Sequence, residues 1–190
     1  MSLRIIAGAH RGRKLIAPEG REIRPTSARA REALFNILAH GLGGEDGVSP
    51  LMEARVLDAF CGTGALGLEA ISRGAGFVTF MDVSPQAMKA VSENLRAMNE
   101  LPRAAMVRAD ATNPPPARQG CSLVFLDPPY RSGLAGKALA ALADKGWIAP
   151  GALVSIELAA TEDVELPAGF AAIDERKYGA AKIVLARAAG

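Results

Sequence analysis

Residues 55–70 read R-V-L-D-A-F-C-G-T-G-A-L-G-L-E-A, and the rest of the chain is arranged around this stretch. Val56, Leu57, Ala59 and Phe60 form a nearly continuous apolar run, the pattern of a strand covered on both faces. Gly62 and Gly64 follow, two residues able to take backbone angles closed to others and to let a ligand approach the main chain. A helix is predicted to start near Ala65, its first N–H groups lacking partners within the helix. Strand, glycine turn and helix together predict an α/β fold.

The spacing Gly62-x-Gly64-x-x-Gly67 fits a dinucleotide fingerprint, but Asp58 stands four residues before Gly62. A carboxylate there repels a pyrophosphate at the helix start and favours a ligand with positive charge, such as an ammonium or a sulfonium. S-adenosylmethionine fits that requirement better than NAD.

Outward from this stretch the chain alternates. Strands are predicted over Phe77–Met81, Ala104–Val107, Cys121–Leu126 and Ala152–Ile156, with Glu157 at the end of the last. Helices are predicted after Ser84-Pro85, with Ser84 as cap and an apolar stripe of Met88, Val91, Leu95 and Met98, and over Leu134–Lys145. Phe170–Lys177 and Lys182–Ala188, turning at Gly179, close the chain as a hairpin. The alternation implies a Rossmann-like, mostly parallel sheet with an antiparallel C-terminal hairpin. Residues 51–190 make this main domain. Residues 1–50 make an extension: two short strands about a glycine-rich turn (3–16), a helix over Ser27–Ala39 capped by Thr26 or Ser27, and a glycine-rich linker (41–50).

Composition bounds the function. The 190 residues are 49% hydrophobic and 22% charged, which fits a globular chain and excludes a disordered one. There is no run long enough to span a bilayer and no signal-like N-terminus, so the expected location is the cytoplasm. Two cysteines and two histidines argue against a disulfide framework, a metal centre or a histidine-based triad, and no metal is expected. Cys61, in the glycine turn, reads as a small packed residue and not a nucleophile. Residues 1–31 hold eight Lys and Arg against two acids, whereas the remainder holds 14 basic and 18 acidic residues. A basic arm on a mildly acidic body suggests an anionic partner met by the N-terminus, with Arg11, Arg13 and Lys14 near the hairpin tip.

Four acids, Asp58, Asp82, Asp110 and Asp127, each end a predicted core strand. Ligands of open α/β sheets lie beyond the carboxyl ends of the strands, so these side chains are expected to line one cleft. Asp82 lies 20 residues beyond Gly62, the interval of a carboxylate that accepts ribose hydroxyls. Asp110, one strand further out, is placed for an adenine amine, and Asp58 for the amino acid end of the cofactor. Asp127 opens Asp127-Pro128-Pro129-Tyr130 and is expected beside the transferable methyl group. Its carboxylate and the Pro128 carbonyl would take the N–H groups of a planar amine, and Tyr130 would offer a stacking face.

At these residues the chain resembles the class I S-adenosylmethionine-dependent methyltransferases: D-A-F-C-G-T-G (58–64) is similar to their cofactor motif and D-P-P-Y (127–130) to their amino-methyltransferase motif. The N-terminal R-I-I-A-G-A-H-R-G-R-K-L (4–15) and R-P-T-S-A-R-A-R-E-A-L-F-N-I-L (24–38) resemble the bacterial 16S rRNA guanine-N2 methyltransferase family. That resemblance runs from Arg4 to the final Y-G-A-A-K-I-V-L hairpin. It implies methyl transfer to the N2 amine of one guanosine in 16S rRNA of an assembled or assembling small subunit, release of S-adenosylhomocysteine, and a monomeric enzyme. It implies that Thr26 and Arg29 contact the cofactor pocket together with Asp58, Phe60, Gly62, Gly64, Asp82, Asp110 and Ala111. It also implies that Arg11, Arg13 and Lys14 grip rRNA phosphates. Ala9-His10 stands where bulkier residues are common in the family. Competing readings are an adenine-N6 DNA methyltransferase, a protein glutamine methyltransferase, and an RNA-binding assembly factor without catalysis.

Overall fold

The computed structural model describes residues 3–17, 25–40 and 49–190, with residues 25–28 as backbone alone. Seven strands form one sheet in the order β3-β2-β1-β4-β5-β7-β6. The strands are β1 (Arg55–Ala59), β2 (Phe77–Met81), β3 (Ala104–Val107), β4 (Cys121–Leu126), β5 (Ile148–Ala159), β6 (Phe170–Tyr178) and β7 (Ala181–Ala188). The first five pair in parallel; β7 runs antiparallel between β5 and the edge strand β6. This is the Rossmann-like sheet that the sequence predicts, with the chain reversing direction between β1 and β4.

Four α-helices cover the sheet among the described residues: α1 (Pro25–His40), α2 (Ala65–Ser72), α3 (Pro85–Met98) and α4 (Leu134–Asp144). Alternation along the strands sorts the core into two layers. Val56, Val78, Phe80, Leu123, Phe125, Leu153, Ile183 and Leu185 face α1, α2 and α3. Leu57, Ala59, Met81, Val124, Leu126, Val154 and Ile156 face α4. Phe35 of α1 is fully buried and its ring meets Phe125 of β4 at 5.7 Å between centroids. Burying such a ring contributes about 1.5–3 kcal/mol.

The Ser84 cap forms as its sequence predicts: the hydroxyl accepts the Ala87 N–H at 3.2 Å, with Pro85 in the first turn. Helix α1 instead starts at Pro25, ahead of the expected Thr26 or Ser27 cap. Strand β5 is longer than its apolar run, because it begins at Ile148, which pairs with Cys121 before the register shifts and Leu153 meets Leu123. The 41–50 linker lies largely outside the described residues, which resume at Ser49.

The two expected N-terminal strands reduce to one antiparallel bridge, Arg4 with Lys14. The segment is nonetheless a hairpin, closed by Ile5 N–H to Arg13 O (3.0 Å), Gly12 N–H to Ile5 O (2.9 Å) and Leu15 N–H to Leu3 O (2.9 Å). Leu3, Ile5 and Leu15 are buried in the same core layer as α1, α2 and α3.

Helix α2 approaches the sheet most closely at Gly67. A Cβ there would lie 2.4 Å from Phe80 Cε1 and 2.9 Å from Val78 Cγ1. Both neighbours are themselves fully buried, so the helix must move. Gly67→Ala is expected to cost about 1–3 kcal/mol, with a fall in Tm of about 2–4 °C per kcal/mol, read by thermal unfolding.

Candidate active site

The register of the sheet places the acids. Asp58 is level with Phe80 on β2 and with Phe125 on β4, and Phe125 is level with Ser155 on β5. Two residues further along the same face come Asp82, Asp127 and Glu157. Asp82 and Asp127 lie just past the ends of β2 and β4, Glu157 stands level with them within β5, and Asp58 is one step behind this row.

Between them the chain turns sharply. Phe60 (φ 60°), Gly62 (φ 52°) and Gly64 (φ 76°) all take left-handed backbone angles. Asp82 holds this turn from β2: one carboxylate oxygen accepts the Gly62 N–H and the other the Ser84 N–H, each at 2.9 Å. Asn94 of α3 supports it from behind, donating to Thr63 O at 3.3 Å. Asp58 accepts the Gly67 N–H at 2.8 Å. Burial, above all, pushes the Asp58 carboxyl well above its usual range; the Gly67 bond pulls it down, and the charges of Asp127 and Asp82 push it up again. Such a group gains from a positive charge nearby.

The other sequence-assigned residues fall as follows. Asp110 is exposed after β3 and one oxygen, Oδ1, accepts both the backbone N–H and the hydroxyl of Thr112, each at 2.8 Å. Ala111 beside it is buried. Asp127 is half-buried, and its N–H reaches Ala59 O at 3.5 Å, joining the ends of β4 and β1. Pro128 is buried, Pro129 exposed and Tyr130 half-buried against the core. Arg29 is exposed on α1, and the Thr26 side chain lies outside the described residues. Arg11, Arg13 and Lys14 are exposed on the hairpin.

Three polar side chains that the sequence reading leaves without a role hold these parts in place. Glu69, fully buried in α2, accepts Ile6 N–H at 2.8 Å and Ala7 N–H at 3.0 Å and pairs with Arg73 at 2.7 Å. Asn94 accepts Ile16 N–H and donates to Ile16 O. Glu157 accepts the Tyr130 hydroxyl at 2.8 Å. Glu69 and Glu157 are polar residues set among apolar ones, a pattern that demands a partner without naming it, whereas Asn94 lies in a polar run of α3. Ser72 completes the docking of the hairpin: its carbonyl accepts Ala9 N–H and its hydroxyl accepts His10 N–H. His10 Nε2 in turn lies 2.7 Å from Glu100. The basic residues thus sit on a hairpin fastened to α2 and α3.

Cys61 and Cys121 are both buried, and burial pushes the Cys121 thiol up to about 11, far from nucleophilic use. Among the described residues no group of three or more His, Cys, Asp or Glu is placed to hold a metal ion. Nor is any described helix long and apolar enough to cross a membrane.

Residues 3–187 match the family described as conserved hypothetical protein 95. The ribosomal RNA small subunit methyltransferase D of Escherichia coli K12 is 38% identical over 157 residues, covering 82% of this chain and 74% of that protein. The protein of the same name from Haemophilus influenzae is 32% identical over 181 residues, covering 93% and 89%. The solved structure of the Escherichia coli protein yhhF, described as a methyltransferase, superposes with a TM-score of 0.82 at 33% identity, covering 100% of this chain and 99% of that one. With the carboxylate row, the glycine turn and the Asp-Pro-Pro-Tyr turn in place, the chain belongs to the conserved hypothetical protein 95 family, within the class I S-adenosylmethionine-dependent methyltransferases.

Proposed function

We propose that this protein methylates the exocyclic N2 amine of a guanosine in 16S rRNA of the small ribosomal subunit. The observation that carries this reading is Asp127: a half-buried carboxylate in a Pro-Pro-Tyr turn, beside the β1 glycine turn and in one row with Asp82. The names of the Escherichia coli and Haemophilus influenzae relatives support ribosomal RNA as the substrate class.

The residues fit S-adenosylmethionine on charge and on hydrogen bonding. Asp82 uses both oxygens for backbone N–H groups, yet each keeps a lone pair for a ribose hydroxyl. Asp110 takes both Thr112 bonds on Oδ1, which fits a reading in which Oδ2 accepts from an adenine amine. Asp58, disfavoured as an anion in its buried place, suits the ammonium and sulfonium end. Phe60, Gly62, Gly64 and Ala111 would form the walls, with Thr26 and Arg29 closing from α1. When bound, S-adenosylmethionine supplies an electrophilic methyl group.

The guanine amine is a weak nucleophile because its lone pair is delocalised into the ring. Asp127 and the Pro128 carbonyl accept its two N–H groups and turn the lone pair toward the methyl carbon. Consecutive prolines keep these acceptors stiff. The Tyr130 ring carries the base by stacking. Asp127 also stabilises the positive charge that develops on the nitrogen and receives its proton once it is cationic. Most of the rate comes from positioning and electrostatics.

Labelled S-adenosylmethionine incubated with unmodified small subunits should yield N2-methylguanosine on nucleoside analysis, with DNA and protein unlabelled. Label in DNA adenine or in protein glutamine, or none at all, would overturn the proposal.

The exposed hairpin residues are expected to meet rRNA phosphates. Arg13→Ala should weaken RNA binding about 3- to 10-fold at low salt and reduce the salt slope by roughly 0.7–0.9, as loss of one phosphate contact does. Cofactor affinity, by titration calorimetry, should not change.

A further inference from the structure

The Asp127–Tyr130 turn is fastened from β5 at two points. Glu157 stands in β5 level with Asp127 and is only 9% exposed. Its Oε1 accepts the Tyr130 hydroxyl at 2.8 Å. In the turn after β5, Glu162 accepts the Arg131 N–H at 2.9 Å and the Ala159 N–H at 3.4 Å. Arg131 has φ 58°, a left-handed angle that a side chain seldom adopts without support. Helix α1 contributes Arg31, a residue 6% exposed whose Nη2 donates to Arg4 O at 2.8 Å. Burial holds its pKa below the usual arginine value and the Arg73 charge adds to this, while the Glu69 and Glu157 carboxylates oppose them. Glu157 is therefore a buried carboxyl that holds the Tyr130 phenol.

We propose that Glu157 is a positioning residue for methyl transfer, fixing the Tyr130 ring and so the aim of the Asp127 and Pro128 acceptors. The inference rests on the reading of that turn as the amine site. A phenylalanine would offer the same apolar face for stacking. What the hydroxyl adds is a hydrogen bond to a buried acceptor oxygen, and with it one ring orientation. A displacement of about 1 Å at a reacting group costs on the order of 100-fold in rate, so a small swing of the ring matters.

Glu157→Ala is expected to lower kcat about 10- to 100-fold while KM for the subunit and the cofactor Kd stay within about threefold. Glu157→Gln keeps an acceptor oxygen and should recover most of that loss. In a Tyr130→Phe background, Glu157→Ala should have no further effect on kcat, the non-additivity of two groups that act together. A readout free of activity comes from tyrosine labelled with carbon-13 at Cζ. The chain has two tyrosines, Tyr130 and Tyr178, and Tyr178→Phe assigns them. Glu157→Ala should move the Tyr130 signal, and Glu157→Gln should move it less. If Glu157→Ala is too unstable to purify, Glu157→Leu fills the same space without an acceptor oxygen and takes its place in both the kcat and the carbon-13 measurements.

Additive losses, an unmoved Tyr130 signal, or an unchanged kcat in Glu157→Ala while the wild type turns over would overturn the positioning role alone. A wild type that transfers no methyl group to guanosine would overturn the reading of the site and this inference with it.

Discussion

Asp127→Ala is expected to lower kcat by about 100- to 1000-fold while changing S-adenosylmethionine affinity by less than about threefold. The magnitude is that of losing one preorganised polar group aimed at charge that develops in the transition state. The asymmetry follows from position. Asp127 ends β4, on the far side of β1 from Asp82 and β3, so it meets the amine and not the adenosine. Single-turnover rates and calorimetry on the same preparation check both halves. An equal loss of turnover and cofactor affinity would mean that Asp127 belongs to the cofactor pocket. Asp127→Asn is a milder companion: it keeps one acceptor oxygen but loses the charge that stabilises a cationic nitrogen, so its kcat should fall between the two.

The second large effect runs in opposite directions for folding and binding. Asp58 sits fully buried, and burial with the neighbouring Asp127 and Asp82 charges holds its carboxyl well above the usual range despite the Gly67 N–H. A folded value above the unfolded one means that the folded state binds the proton more tightly. Its contribution to stability is greatest below the unfolded value, about pH 4, and is lost as pH rises through the raised folded value. At neutral pH this buried acid therefore works against the fold. Asp58→Asn keeps an oxygen for Gly67 and removes the charge. Thermal unfolding of the ligand-free protein should show Tm raised by about 3–6 °C at pH 7, corresponding to roughly 1–2 kcal/mol, with a flatter pH profile. The affinity for S-adenosylmethionine should fall about 10- to 100-fold, because the carboxyl group that a cationic ligand would draw into its charged form is gone. A lowered Tm together with unchanged affinity would show that Asp58 serves only the glycine turn.

What was legible in the sequence follows from how the sheet is covered. β1, β2 and β4 are buried on both faces, so each reads as an apolar run, with an acid just past the end of β2 and β4; the acid of β1, Asp58, lies within the strand and not at its end as the sequence reading has it. Ser84 and Pro85 announce α3 by local chemistry alone. The order of strands followed from the usual reversal between β1 and β4. The contacts that could not be read join residues far apart in the chain. Glu69 takes the Ile6 and Ala7 N–H groups across 63 and 62 residues, and nothing near Glu69 in sequence says so. Glu157 and Tyr130 meet only because β4 and β5 are neighbours in register. The first part of β5 was hidden by Pro150 and by Gly151 at φ 71°, which look like a break and are accommodated by the irregular pairing with β4. The hairpin reads as a basic arm from charge alone; its docking through Gly8 needs the structure, since a Cβ there would fall 1.9 Å from Ser72 O.

A crystal structure with S-adenosylhomocysteine bound tests the account most directly. The nucleoside should lie beyond the ends of β1, β2 and β3, with the ribose hydroxyls on Asp82 and the sulfur turned toward Asp127. A ligand seated away from that row, or a ribose that leaves Asp82 untouched, would contradict it.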